Sequence, residues 1–228
     1  GTTYKGQPVG SLADMTCFSF HPVKTVTGGE GGAITTNDEK LYRHLMRLRT
    51  HGITRDPEEM VHPTDALWYN EQVELGFNYR MTDFQAALLL SQLKKLPMFR
   101  VRRKEIKKRY DEAFGKMPEL ILQKEIPESD TTWHLYVLHL NLENLNCDRR
   151  QFFDALYAEH TCPQVHYLPV YWHSYYEKLG YKKGLCPNAE KYYNEVMSIP
   201  LYYGLTDDDV EDVIHAVKKV VAYYTKLK

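Results

Sequence analysis

The chain has few cysteines, no long apolar run and almost no excess charge, and each shortage removes a class of function. Its four cysteines, Cys17, Cys147, Cys162 and Cys186, form no C-x-x-C pair. That spacing argues against a metal site such as zinc and against a thioredoxin-like motif, and it suits reduced thiols in a cytoplasmic protein. No apolar stretch approaches the roughly 20 residues that span a bilayer, and no signal peptide is visible. With 29 basic and 30 acidic residues the formal net charge is -1. Such a balance gives no electrostatic footing for nucleic acid or an anionic membrane. An initiating methionine is missing too. "GTTYKGQPVG" enters at once into strand and turn chemistry, like the interior of a protein, and a segment in front of it is expected.

What is present is a mixed pattern. The 228 residues are 43% hydrophobic and 26% charged, enough for one large domain or two small ones. Residues 1 to 36 read as short strands broken by glycine turns. Asn37 or Asp38 is placed to cap a helix reaching about His51, with Leu41, Leu45 and Leu48 as its apolar stripe. Periodicity then lapses from Gly52 to about Gly76, a loop long enough to be functional or interfacial. Thr82 and Gln85 make a capping box for a strong helix in which Phe84, Ala87, Leu88 and Ser91 share a face. Pro97 should kink or interrupt it before the pattern resumes from Arg100 to Phe114. Beyond Gly115 a smaller unit reads as strand ("WHLYVLHLNL"), helix ("CDRRQFFDALYAEH"), strand ("CPQVHYLPVY") and a last helix capped at Thr206 with Asp209 at N3. The expected division is 1–115 and 116–228, α and β mixed in both.

One stretch asks for more than structure. In "CFSFHPVKTVTGGEGGAITT" (residues 17 to 36) a lysine, Lys24, stands between a strand and a glycine cluster, with Ser19 five residues before it. An ammonium of pKa about 10.4 is no nucleophile at neutral pH. Desolvation or a cationic neighbour frees the amine, which can then form a Schiff base. A serine hydroxyl at the strand end can bind phosphate, and the glycines let backbone pass close to a ligand. Together these could hold an aldehyde cofactor bearing a phosphate, such as pyridoxal 5'-phosphate. By spacing alone the pattern is common, and a plain hairpin with a solvated lysine stays open.

The full string closely resembles the lysine motif of the DegT-like sugar aminotransferases, which are fold-type-I enzymes dependent on pyridoxal phosphate. The likeness continues in His51-Gly52, in "GFNYRMTDFQAALLLSQLKKL", and in "HLYVLHL" and "QVHYLPVYWHSYY". The last two are similar to the subgroup that aminates UDP-linked 4-keto-6-deoxy sugars, as in pseudaminic acid synthesis. The resemblance runs through essentially the whole chain with its motifs in order. It implies the C-terminal part of such a fold: the end of the large α/β domain, long linking helices, and a small α+β domain.

Carried over by position, Lys24 corresponds to the Schiff-base lysine and Ser19 to a phosphate-binding serine. Asn78 matches an asparagine that reaches the cofactor phosphate of a neighbouring subunit, which implies a homodimer with shared sites. Tyr79 and Arg80 beside it, and His166 and Tyr167 in "VHYLP", fall where the nucleotide-sugar lies. For these last four a packing or ion-pairing role is the competing reading. The implied reaction takes an amino group from glutamate to C4 of a UDP-4-keto-6-deoxy-N-acetylhexosamine, for surface polysaccharide or glycan synthesis. Family members also carry, ahead of "GTTYKG", a phosphate-binding turn, a ring stacked on the pyridine and an acidic partner for its nitrogen. This chain is therefore expected to supply the lysine and much of the dimer contact, but to hold the cofactor poorly alone. Two alternatives stay in view: a sugar dehydratase, whose relatives carry histidine where Lys24 stands, and a non-catalytic fragment.

Overall fold

A computed structural model describes residues 1–226. In chain order the elements are β1 (Thr3–Tyr4), β2 (Gln7–Pro8), β3 (Thr16–Ser19), β4 (Gly32–Thr35), α1 (Glu39–Leu48), β5 (Ile53–Thr54), β6 (Glu71–Gln72) and α2 (Asp83–Phe114). Then come β7 (Leu120–Ile121), β8 (Ser129–Asp130), β9 (Tyr136–Leu140), α3 (Arg149–Ala158), α4 (Ser174–Lys178), α5 (Pro187–Glu195), β10 (Val196–Ile199) and α6 (Asp207–Tyr224). They form two compact units, one of Gly1–Pro97 with Glu128–Asp130 and one of Met98–Pro127 with the chain from Thr131 onward. The division thus falls within α2, whereas the sequence pattern placed its boundary just after that helix.

The first unit is built from small pieces: a three-stranded sheet ordered β2-β1-β8 and two antiparallel pairs, β3-β4 and β5-β6. Asp38 caps α1, its side chain accepting from the amides of Lys40 and Leu41 at 2.7 and 3.1 Å. The helix stops at Leu48, short of His51, because the chain turns there: His51 and Gly52 both take positive φ, 60° and 70°. Leu89 is the one large apolar side chain buried in this unit among the described residues. Phe84, on the face that periodicity singled out, is 91% exposed, and in the loop Leu67 and Trp68 are 96% and 82% exposed. Ion pairs do much of the local tethering. Arg47 reaches Glu59 at 2.9 Å and Glu74 at 2.8 Å, and His44 meets Glu74 at 2.6 Å, so the loop after α1 is tied back to the helix.

α2 corrects an expectation. It is continuous through Pro97 rather than interrupted. Proline removes one helical donor, but the turns on either side remain hydrogen-bonded, so the interruption does not occur. At its start the capping box is present: Gln85 N donates to Thr82 Oγ1 at 3.3 Å and Thr82 N to Gln85 Oε1 at 3.1 Å.

The second unit holds the core. Its sheet is ordered β10-β9-β7, all antiparallel, with Val196 opposite His139 and Ile199 opposite Tyr136. Alternation along β9 buries Tyr136, Leu138 and Leu140, the period-two pattern of a strand with one face inward. Against it pack Ile106, Tyr110 and Phe114 from the second half of α2, Phe152 and Leu156 from α3, and Val210, Val213, Val217 and Val221 from α6. Each such side chain contributes about 1.5–3 kcal/mol on burial. The capping boxes of α3 (Asp148 with Gln151) and α6 (Thr206 with Asp209) start those helices where the sequence indicates. Buried Arg103 is held by backbone: its Nη1 donates to the carbonyls of Leu201 (2.8 Å), Trp133 and His134 (both 3.1 Å), and burial pulls its pKa down. The expected strand "CPQVHYLPVY" does not form. Only Gln164 pairs with Ser198 as an isolated bridge, because Pro163 and Pro169 lack amide donors and leave too short a stretch for a ladder.

Candidate active site

β3 and β4 form a hairpin with Ser19 paired to Gly32, so the connection from Phe20 to Gly31 carries Lys24 at the open end of the ladder. The connection is knitted by its own backbone. Phe20 N donates to Gly31 O at 2.9 Å, Gly28 N to Phe20 O at 3.1 Å, and Lys24 N to His21 O at 2.9 Å. Thr27 Oγ1 donates to Phe20 O and accepts from Gly29 N, both at 2.9 Å. Gly29 and Gly31 hold φ of 84° and 142°, conformations that side chains resist. Gly32 is required for another reason: a Cβ there would meet Phe18 O at 2.8 Å.

Within this loop the Lys24 side chain is half-buried, yet its amine makes no hydrogen bond or ion pair among the described residues. His21 is drawn toward Glu30 instead (3.9 Å) and its Nδ1 accepts from Val23 N at 3.5 Å, an orienting contact within the loop. Ser19 Oγ accepts from His21 N at 3.4 Å, which leaves its own hydrogen to donate outward.

Asn78 is fixed through its backbone. Residues 76–79 run antiparallel to the end of α1: Phe77 N donates to Leu48 O (2.6 Å), His51 N to Phe77 O (2.8 Å) and Tyr79 N to Arg49 O (3.0 Å). Gly52 and Gly76 make that approach possible. A Cβ on Gly76 would lie 2.5 Å from the His51 carbonyl carbon and closer still to Gly52 N. The Asn78, Tyr79 and Arg80 side chains are exposed, and Tyr79 stacks on Phe77 with ring centroids 4.8 Å apart.

The start of α2 brings the lysine loop and this segment together. Gln85, besides closing the capping box, donates through Nε2 to Glu30 O at 3.0 Å. Gly28 packs on Leu89, and Met81 Cε sits 2.9 Å from where a Cβ on Gly31 would be. Lys24 and Ser19 therefore share one anchored scaffold with Asn78 and Arg80. Sequence reasoning found Gln85 as a cap but missed this second bond, which spans 55 positions and leaves no local signal.

His166 and Tyr167 belong to the other unit. The peptide between them is cis. His166 Nδ1 lies 3.0 Å from Ser198 Oγ, and Tyr167 is exposed with its ring 6.0 Å from that of His173. Ser198, buried in β10, was not singled out from sequence.

A model of the DegT/DnrJ/EryC1/StrS aminotransferase family matches residues 1–218. The chain belongs to that family. Among curated relatives, the spore coat polysaccharide biosynthesis protein SpsC of Bacillus subtilis is 40% identical over 222 residues, covering 96% of this chain and 57% of its own. A Campylobacter jejuni UDP-4-amino-4,6-dideoxy-N-acetyl-β-L-altrosamine transaminase is 36% identical over 224 residues, covering 97% and 57%. Among solved structures, Spr1654 of Streptococcus pneumoniae in its PLP form superposes with a TM-score of 0.86 at 31% identity, over 98% of this chain and 55% of that one. This member of the DegT family thus spans a little over half the length of the relatives it matches, and its mixed α/β fold is shared with part of those larger chains. No helix among the described residues is long and apolar enough to cross a membrane, and no cluster of His, Cys, Asp or Glu among them could hold a metal ion.

Proposed function

We propose that this chain carries the lysine of a pyridoxal-phosphate-dependent aminotransferase that moves an amino group from glutamate to a nucleotide-linked keto sugar. One observation carries the reading: Lys24 is half-buried and its amine has no partner among the described residues, in a loop knitted by bonds among Phe20, His21, Thr27, Gly28 and Gly31. A structural lysine in such a place would pair with a carboxylate or extend into water. An amine kept unpaired beside a serine hydroxyl and an open glycine backbone fits a phosphorylated aldehyde, since a Cβ on Gly29 would meet nothing within 4 Å.

When bound, pyridoxal phosphate supplies an electron sink for charge that develops at the reacting carbon. Lys24 Nζ would be the group that holds the cofactor, and its free amine would be placed to take and return a proton at the substrate carbon. Ser19 Oγ–H, aimed away from His21, donates to the cofactor phosphate. Asn78, held by its backbone with its amide exposed, reaches the phosphate of a second copy. Leu67, Trp68 and Phe84, large apolar side chains left exposed, support a homodimer, since uncovered apolar surface marks interfaces. Tyr79 and Arg80 in the first unit, and His166 and Tyr167 in the second, are the side chains we assign to the nucleotide-sugar. The Campylobacter relative's name supports C4 of a UDP-4-keto-6-deoxy-N-acetylhexosamine as the acceptor position, and SpsC supports a role in surface polysaccharide synthesis. Lys24 itself argues against the dehydratase alternative.

The test is Lys24→Ala in the holoenzyme, read by the visible absorbance of lysine-bound cofactor and by amino transfer from glutamate. Both should vanish. An unchanged visible band in that variant would overturn the assignment.

A further inference from the structure

Ser198 sits in β10 at 5% exposure, and its hydroxyl lies between two groups: His166 Nδ1 at 3.0 Å and the Gln164 carbonyl oxygen at 3.3 Å. The geometry is held by backbone on both sides, since Gln164 N donates to Ser198 O (2.9 Å) and Ser198 N to Gln164 O (2.7 Å). The terminal group decides the direction of the chain. A carbonyl can only accept, so the hydroxyl hydrogen goes to Gln164 O and the Nδ1 hydrogen of His166 goes to Ser198 Oγ. That order makes two hydrogen bonds. The reverse, with the hydroxyl donating to a bare Nδ1, makes one and leaves the carbonyl to Ser198 N alone. One net hydrogen bond favours the first by roughly two- to tenfold. His166 then carries its hydrogen on Nδ1, and Nε2 is left with a lone pair. The ring is exposed, and Nε2 has no partner among the described residues.

We propose that Ser198 is a positioning residue that fixes His166 as the Nδ1–H tautomer, so that Nε2 accepts a hydrogen bond from a sugar hydroxyl or acetamido N–H of the substrate. The inference rests on the reading above for the identity of the ligand. The lone pair sets the chemistry: it attracts a donor and repels phosphate and keto oxygens. His166 therefore meets the sugar ring, away from the diphosphate and the reacting carbonyl. Tyr167 beside it, exposed and amphipathic, offers a face for the same ring.

The experiment is long-range proton–nitrogen NMR on the full chain labelled with 15N-histidine at pH about 8, above the usual imidazole range. His166 signals are assigned by their loss in His166→Asn. The wild type should show hydrogen on Nδ1 and a bare Nε2. Ser198→Ala should bring the second tautomer to a comparable population, and Ser198→Thr should restore the wild-type pattern. UDP-N-acetylglucosamine should shift Nε2, and UDP alone should not. Hydrogen on Nε2 in the wild type overturns the proposal without recourse to any variant, so a Ser198→Ala chain that fails to fold does not rescue it. An unchanged tautomer in a folded Ser198→Ala chain overturns it as well. No shift with the UDP-sugar, or an equal shift with UDP, overturns the acceptor role. Failure of the aminotransferase reading is seen separately, in the Lys24 absorbance measurement, which does not involve His166.

Discussion

Gly76→Ala is the sharpest perturbation of the scaffold that presents Asn78. The added methyl would fall 2.5 Å from the His51 carbonyl carbon and nearer to Gly52 N, against an ordinary carbon contact of about 3.5–4.0 Å. Neither neighbour is the end of a flexible side chain, so the two backbone segments must part by about 1 Å or more. The bonds just after Gly76, Phe77 N to Leu48 O, His51 N to Phe77 O and Tyr79 N to Arg49 O, now span 2.6, 2.8 and 3.0 Å. Lengthened by that amount they leave the range in which hydrogen bonds hold, about 2.7–3.2 Å. At a net 0.5–1.5 kcal/mol apiece their loss costs about 1.5–4.5 kcal/mol of local stability. Hydrogen exchange at the His51, Phe77 and Tyr79 amides reads this directly, and protection there should fall roughly tenfold or more. Gly204→Ala is the control, because its methyl meets only the Tyr202 ring at 3.4 Å, and protection of residues 48–79 should be unchanged. If Gly76→Ala keeps wild-type protection at those three amides, the close approach does not position Asn78 and the scaffold described here is wrong.

Gln85→Ala removes both the cap bond and the bond to Glu30 O, so it should loosen the lysine loop and weaken cofactor retention; Gln85→Glu keeps the cap acceptor, loses the donor to Glu30, and separates the two effects. Mixed dimers of Lys24→Ala and Asn78→Ala subunits should retain one site with both residues intact, measurable as recovered amino transfer, and no recovery on mixing would refute the sharing of Asn78. Glu74 should impose an acid limit on the first unit. Its carboxyl is held below the usual carboxylate range, chiefly by the hydrogen bond from Arg47 and then by His44. Its contribution is therefore complete above about pH 4.3 and is lost as pH falls through the lowered folded value. Thermal melts against pH should show that loss in the wild type and not in Glu74→Gln.

The sequence by itself determined the elements whose signals are local. Thr82 with Gln85 and Thr206 with Asp209 are capping pairs that were legible without coordinates, because each bond closes within three residues. The stripe of Val210, Val213 and Val217 and the alternation from Tyr136 to Leu140 are likewise periodic and therefore legible. The lysine motif stood out because its serine, lysine and glycines are contiguous. Two expectations failed for reasons equally local: the proline-flanked stretch around Gln164 stays a single bridge, and Pro97 sits inside an unbroken helix. The Phe84 face showed helical spacing but could not reveal that it lies uncovered in this chain. Long-range packing alone settles that Lys24 has no partner among the described residues, that Gln85 joins the lysine loop to the start of α2, that Gly52 and Gly76 let two backbones touch, and that Ser198 stands behind His166. Those facts depend on the approach of residues tens of positions apart, and side-chain pattern along a chain carries no record of the distance between them.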